Sequence, residues 1–222
     1  MVIVVVGNPV ARAPELGGGV AGTPARTAVA AARAGATVQL VGKAGDDPAG
    51  DAVLLALAAA GVGHVALLRD PSRATPVATG PDDADTADGP FSNEDAETGG
   101  LQVVPEDPAA RPSLEPADVE LALRYLSDYR AIVIAEPQPD GIVAIAAEAA
   151  SYTGAQLVLV VAADSVGPVP PAALVLEAPA RDPDGAFASL LGEFAAAVDA
   201  GASGADAFKS LGQRVGLAPS TD

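Results

Sequence analysis

Apolar residues along this chain follow two patterns. Unbroken runs rich in Val, Ile and Leu lie at 2–6 (VIVVV), 37–42 (TVQLVG), 64–68 (HVALL), 131–136 (AIVIAE), 156–164 (QLVLVVAAD) and 172–179 (AALVLEAP). Such runs read as strands buried on both faces of a parallel sheet. Between them, alanine-rich stretches predict helices at about 24–34, 48–60, 113–127, 139–150, 184–199 and 203–214. Thr23 serves as an N-cap with Pro24 as the first helical residue, and Gly35 stops the helix. The resulting β-α-β-α-β opening calls for a doubly wound sheet with right-handed crossovers.

Two intervals break the alternation. Residues 8–22 are rich in Gly and Pro with few strand signals. Residues 70–100 carry seven carboxylates between Pro81 and Glu97 (Asp82, Asp83, Asp85, Asp88, Glu94, Asp95 and Glu97) with no basic residue. Nothing in the sequence sets these on a rigid element, so they read as a solvated, mobile acidic loop at about 81–99 and not as a metal site. A short strand is expected at 101–105. The expected organisation is one α/β domain over 1–222.

The strand ending at Gly7-Asn8-Pro9 delivers its carboxyl end to a ligand crevice, which makes Asn8 a candidate contact. The turn at 17–22 precedes a helix start, where free N–H groups receive an anion or polar ligand. Lys43 in Gly-Lys-Ala-Gly lacks the spacing of a phosphate-loop lysine, and Gly7 with Gly17–Gly19 lacks the placement of a dinucleotide fingerprint. His64 follows Gly61-Val62-Gly63 and reads as a surface histidine. Leu121, Tyr125 and Tyr129, at spacings of four, read as the packed face of a helix.

Composition narrows the chemistry. The formal charge is −17, with 12 basic against 29 acidic residues, which disfavours nucleic acid and anionic membrane surfaces as partners. There is no cysteine and one histidine, so disulfides, thiolate catalysis and histidine-rich metal sites are excluded. No leader is read at Met1, and no apolar run reaches the roughly 18 residues a bilayer span needs. A cytoplasmic location is the expectation.

From Gly22 the segment GTPARTAVAAARAGATVQLVGKAGDDPAG resembles the N-terminal signature of the ribokinase-like (PfkB) carbohydrate kinases. The matching features are a Gly-x-Pro-Ala turn, an alanine-rich helix ending Ala-Arg-x-Gly-Ala, a strand and a Gly-Asp-Asp-x-x-Gly turn. Ala74-Thr75-Pro76-Val77 is similar to the family's Pro-Thr-Gly segment. The resemblance implies a three-layer α/β/α, Rossmann-like, mostly parallel sheet. Fifteen residues at 8–22 are too few for the family's lid, so lid strands are expected to be reduced or absent. Any homodimer would then form through another surface, such as an alanine-rich helix or the edge at 101–104.

Three motifs of the family bear on function. In its sugar site, an Asp after the first strand and the Asn of Pro-Ala-Asn hold hydroxyls. Here Arg12 and Arg26 stand at those positions, and the hinge glycines become Ala21-Gly22. Guanidinium groups donate and cannot accept. They either bind a carboxylate or phosphate or pair with local acids such as Glu15 or Asp46.

In the family's phosphoryl-transfer motif, Gly-Ala-Gly amides at a helix start form an anion hole before the catalytic Asp. Here Ala186-Phe187 matches its end, so the catalytic position falls on Gly185 and the anion hole on Asp182-Pro183-Asp184. Shifting the match by one residue makes Asp184 the base, but Pro183 still lacks an N–H. The alternative is that Asp182 is an N-cap, with Pro183 at the first helical position and Asp184 in the first turn. Between Asp164 and Ala178 the family's nucleotide-binding glycine motif and strands are missing.

The resemblance therefore implies a degenerate homologue, without phosphotransferase activity or cofactor, that senses a small anionic or sugar-like metabolite or engages a protein partner. Its candidate ligand contacts are Asn8, Arg12, Gly22 and Arg26. The alternative is an active sugar or nucleoside kinase using ATP and Mg²⁺ with Asp184 as base.

Overall fold

The computed structural model describes residues 1–80, 102–162, 169–179, 182 and 184–214, the side chains of 212–214 excepted. The acidic stretch at 81–99 lies outside the described residues.

Six parallel strands form the main sheet: β1 (Val2–Val6), β4 (Thr37–Gly45), β5 (Leu67–Asp70), β8 (Tyr129–Ile134), β9 (Gln156–Val161) and β10 (Leu174–Glu177). Their spatial order is β10-β9-β8-β1-β4-β5. The strand following β1 on one side is β4 and on the other β8, so the order reverses at β1. That is the point at which an open α/β sheet leaves a crevice beyond its carboxyl ends.

Alternation along the strands builds two cores. Ile3 and Val5, with Val38, Leu40, Ala131 and Val133, face the helices α1 (Thr23–Arg33), α2 (Pro48–Ala59), α5 (Ala186–Asp199) and α6 (Gly204–Arg214). Val4 and Val6, with Val41, Ile132 and Ile134, face α3 (Pro116–Tyr125) and α4 (Asp140–Thr153). Every one of these strand residues is buried, as continuous apolar runs require in a sheet covered on both sides. A three-layer α/β/α sandwich results.

Alanine sets the spacing of the first layer. Ala25, Ala28 and Ala31 of α1 are fully buried against α5. A Cβ on Gly192 of α5 would stand 2.6 Å from both Ala30 Cβ and the Thr27 carbonyl oxygen. The two helices therefore meet almost backbone to backbone, which larger side chains at these positions would prevent.

A second sheet answers the 8–22 interval differently from expectation. β2 (Val10–Arg12) and β3 (Val20–Ala21) pair antiparallel, β2 pairs parallel with β6 (Val77–Thr79), and β6 pairs antiparallel with β7 (Gln102–Val104). Fifteen residues do suffice for two strands, because both are very short and join through a turn in which Gly17, Gly18 and Gly19 all take positive φ. The small sheet is thus reduced, and present.

Three other expectations shift. The strand expected at 64–68 begins at Leu67, after one isolated bridge between Gly63 and Gln39. Helix α1 takes Gly22 as its N-cap, so Thr23 is its first residue. Leu121 and Tyr125 are 50% and 81% exposed; the buried stripe of α3 is Val119, Ala122 and Leu123, and Tyr129 belongs to β8.

Candidate functional site

The carboxyl ends of β1 and β8 lie side by side. Gly7 leaves β1 with a φ of 149°, and a Cβ there would lie 2.5 Å from Pro24 Cγ and 3.1 Å from Glu136 Oε1. Next to it, the Asn8 backbone N–H donates to Glu136 Oε1 (2.7 Å). The Asn8 side chain donates through Nδ2 to the Pro112 carbonyl (2.9 Å) and accepts at Oδ1 from the Lys43 N–H (2.9 Å). Its amide therefore ties three chain segments together, a clamp just beyond the carboxyl end of β1.

Glu136, which closes the run at 131–136, was not among the residues the sequence singled out. Its signal there is a lone carboxylate at the end of a buried strand. Burial pushes its carboxyl up to about 7, against the opposing pull of the Asn8 N–H and the Gln138 amide, which donates to Oε1 at 3.0 Å. A group that gains and loses its proton near neutrality thus lies beside Gly7.

The Gly45-Asp46-Asp47-Pro48-Ala49-Gly50 turn locks α2 to the small sheet. Asp47 accepts at Oδ1 from Gly50 N–H and at Oδ2 from Thr75 N–H, both at 2.7 Å. Thr75, 2% exposed, accepts at Oγ1 from Gly45 N–H (2.8 Å). Burial alone would raise the Asp47 pKa, but the N–H groups of Thr75 and Gly50 and the charge of Arg69 outweigh it and hold the carboxyl below its usual range. Nearby, Lys43 pairs with Asp118 at 2.7 Å, so its ammonium is engaged by α3. His64 faces the Val62 carbonyl at 3.3 Å.

At the start of α5 one carboxylate occupies the helix terminus. Asp182 accepts at Oδ1 from Phe187 N–H (3.0 Å) and at Oδ2 from Ala188 N–H (3.1 Å). The expected cap is not made as such: the N-cap position is Gly185 and the helix begins at Ala186, so Asp182 reaches its first turn from three residues before the N-cap and Asp184 lies outside it. Asp184 stands in the turn before it, exposed. Gly185 has a φ of 73°, and a Cβ there would meet the Arg26 guanidinium, 2.6 Å from Nη1. Arg26 Nη1 donates to the Asp182 carbonyl at 3.2 Å.

At this helix start two N–H groups thus serve a carboxylate of the chain itself, and the Arg26 guanidinium fills the space over Gly185. Among the described residues no group of three His, Asp or Glu side chains is arranged to hold a metal ion.

Arg12, Arg26 and Asp184 line a common cavity of about 360 Å³, together with Gly18, Gly19 and Arg33. Neither acid named as a local partner takes up Arg12: among the described residues it makes no ion pair, and Asp46 pairs instead with Arg69 at 3.3 Å. Burial and the neighbouring charge of Arg12 lower the Arg26 pKa, partly offset by Asp182 and Asp184. Asn8 and Gly22 are elsewhere. The Gly22 Cβ position lies 2.9 Å from Val10 Cγ2, so this glycine serves the packing of β2 on α1. A larger cleft, about 1130 Å³, opens at the amino ends of β1, β8 and β9 around Arg130, Ser151 and Gln156, and it gathers none of these residues.

The model of the pfkB family of carbohydrate kinases matches residues 2–119, more than half of the chain. The chain belongs to this family. No match is found among curated proteins. Among solved structures it is similar to a fructokinase with bound ATP from Xylella fastidiosa, at 18% identity and a TM-score of 0.55, over 96% of this chain and 65% of that one. It is also similar to an aminoimidazole riboside kinase from Salmonella enterica (16% identity, TM-score 0.53, 72% of this chain and 50% of that one). A fructokinase from Vibrio cholerae gives 17% identity and a TM-score of 0.51 over 72% and 50%. The chain thus spans between half and two thirds of the length of these structures, and the likeness is one of fold. No described helix is long and apolar enough to cross a membrane.

Proposed function

We propose that this member of the pfkB carbohydrate kinase family is a degenerate homologue that does not transfer phosphate and acts as a ligand-sensing or protein-interaction module. One observation carries the reading: the carboxylate of Asp182 accepts the N–H groups of Phe187 and Ala188 at the helix start. Phosphoryl transfer needs donors aimed at developing negative charge, and removing even one such donor typically costs on the order of a hundredfold or more in rate. Asp182 is the first of the three residues on which the family's anion hole falls, and its carboxylate, fixed at the helix start, repels that charge.

The second reading is an active sugar or nucleoside kinase in which Asp184 removes the proton from the attacking hydroxyl. It draws on the position of Asp184, exposed and lining the same cavity as Arg12 and Arg26. ATP and Mg²⁺ belong to that reading alone. Release of ADP in a coupled assay, with a panel of sugars and nucleosides, separates the two. The degenerate reading expects the rate of the buffer blank for the wild-type chain and for Asp184→Ala alike. ADP release that Asp184→Ala abolishes would overturn it.

A further inference from the structure

Among the described α-helices, α2 alone carries no polar side chain in its last two turns. From Ala52 to Ala60 the chain reads AVLLALAAA. Each of the other α-helices has a charged residue in its last two turns: Arg33, Arg124, Glu148, Asp199 and Lys209. A helix that is apolar on every side belongs in an interior. Yet only Gly50, Val53 and Leu57 of α2 are buried. Ala52, Leu55, Ala58 and Ala59 stand exposed, Leu55 at 72%. Their spacings of three and four set them on one face.

The two ends of this face differ in charge. At its start the Asp46 and Asp51 side chains, 63% and 68% exposed, share the single guanidinium of Arg69 at 3.3 and 2.7 Å, which leaves a carboxylate in excess. At its finish stands Arg33, the exposed last residue of α1, which lines the same cavity as Ala56 and Ala60 of α2. Arg33 makes no ion pair among the described residues. A face with an acidic start and a basic finish is complementary to itself when reversed, which is what a twofold contact requires. Two copies of formal charge −17 repel, and a stretch free of charge is where they approach at least cost.

From this face we infer that the chain forms a homodimer in which α2 packs antiparallel against α2 of a second copy. Leu55 of each copy enters the space between Ala52, Ala56 and Ala59 of the other, and Arg33 of each meets Asp46 and Asp51 of the other. The opposed helix dipoles add to the attraction. The inference goes beyond the proposed function, since it holds whether or not phosphate is transferred.

Sedimentation equilibrium of the full chain over a concentration series tests this. The expected mass rises from 21.7 kDa toward twice that value. Leu55→Asp places a carboxylate at the centre of the contact and should weaken association by about tenfold or more. At 72% exposure the change should leave the circular dichroism spectrum as it is. Arg33→Glu, at an exposed helix end, should weaken association in the same direction, and keeps the test decisive if Leu55→Asp does not fold. The chain has no cysteine, so a single introduced thiol reports position. Under mild oxidation Leu55→Cys should cross-link as a dimer, because the twofold axis brings the two sulfurs together. Tyr152→Cys, at a residue 92% exposed on α4, should not. A mass of 21.7 kDa at every concentration would overturn the inference, whatever else covers α2. So would a dimer that both folded variants leave intact, or one that Leu55→Cys fails to link. ADP release by a dimeric chain overturns only the proposed function, and a monomer without ADP release overturns only this inference.

Discussion

The backbone N–H of Phe187 donates to Asp182 Oδ1 at 3.0 Å, while that of Ala188 donates to the other oxygen of the same carboxylate at 3.1 Å. An acidic side chain of the protein thereby sits at the helix start in the manner of a bound anion. The helix gains a cap, and the groups that could grip an external anion there are used.

Removing that carboxylate tests its structural role. Asp182→Ala should lower stability by about 1–2 kcal/mol, the usual range for a lost cap. Urea unfolding followed by circular dichroism measures it. An unchanged midpoint would mean that the two N–H groups are satisfied without Asp182.

Gly192 should show an inverted helix preference. In an ordinary helix interior Ala is favoured over Gly by about 1 kcal/mol. Here the new Cβ would stand 2.6 Å from the Thr27 carbonyl oxygen and from Ala30 Cβ. Overpacking of this kind typically costs about 1–3 kcal/mol, so Gly192→Ala should destabilise on balance. A raised melting temperature would show that α1 and α5 can separate freely.

Glu136 should make stability fall with rising pH. Its folded pKa of about 7 lies above its ordinary value of 4.5, so the folded state holds a proton that the unfolded chain has released. The contribution is fully present below 4.5 and is lost as pH rises through about 7, a span of about 3 kcal/mol. Glu136→Gln keeps an acceptor for the Asn8 N–H and removes the titration. Unfolding free energies of the two proteins should converge toward low pH and separate toward pH 7, with the variant the more stable. Parallel curves would contradict the assignment.

Asp47 should act in the opposite sense. Its folded pKa is held below the ordinary value, so its contribution is present above the usual carboxylate range and is lost as pH falls through the folded pKa. Asp47→Ala leaves the Gly50 and Thr75 N–H groups without their acceptor and should cost about 2 kcal/mol. Denaturant titration near neutral pH measures the loss, and a wild-type midpoint would rule out this turn as the tie between α2 and β6.

The main sheet was legible in the sequence because its strands are continuous apolar runs, and burial on both faces is the physical meaning of such a run. Val2–Val6, Tyr129–Ile134 and Gln156–Val161 stand where those runs stand. The small sheet was less so. A strand of two or three residues, such as Val20–Ala21, is too short to show a period, and the glycines that make its turn look like a plain connection. On α3 the chain carries two apolar stripes, and spacing alone cannot tell Leu121 and Tyr125 from the buried Val119, Ala122 and Leu123. At the candidate site, Arg12, Arg26 and Asp184 could be picked out as departures from a family pattern. Arg33 shows in the sequence only as a third basic residue near Arg12 and Arg26, and Glu136 only as the end of a buried run; the folded chain brings them to the cavity and to Gly7.

The most direct measurement is of the amide resonances of Phe187 and Ala188 in ¹⁵N-labelled protein, titrated with ATP and Mg²⁺ in the presence of a sugar panel while ADP release is followed. With Asp182 already on both N–H groups, the two resonances should stay in place and no ADP should form above the blank. Saturable movement of both, together with ADP release, would contradict the account and make this chain a working kinase.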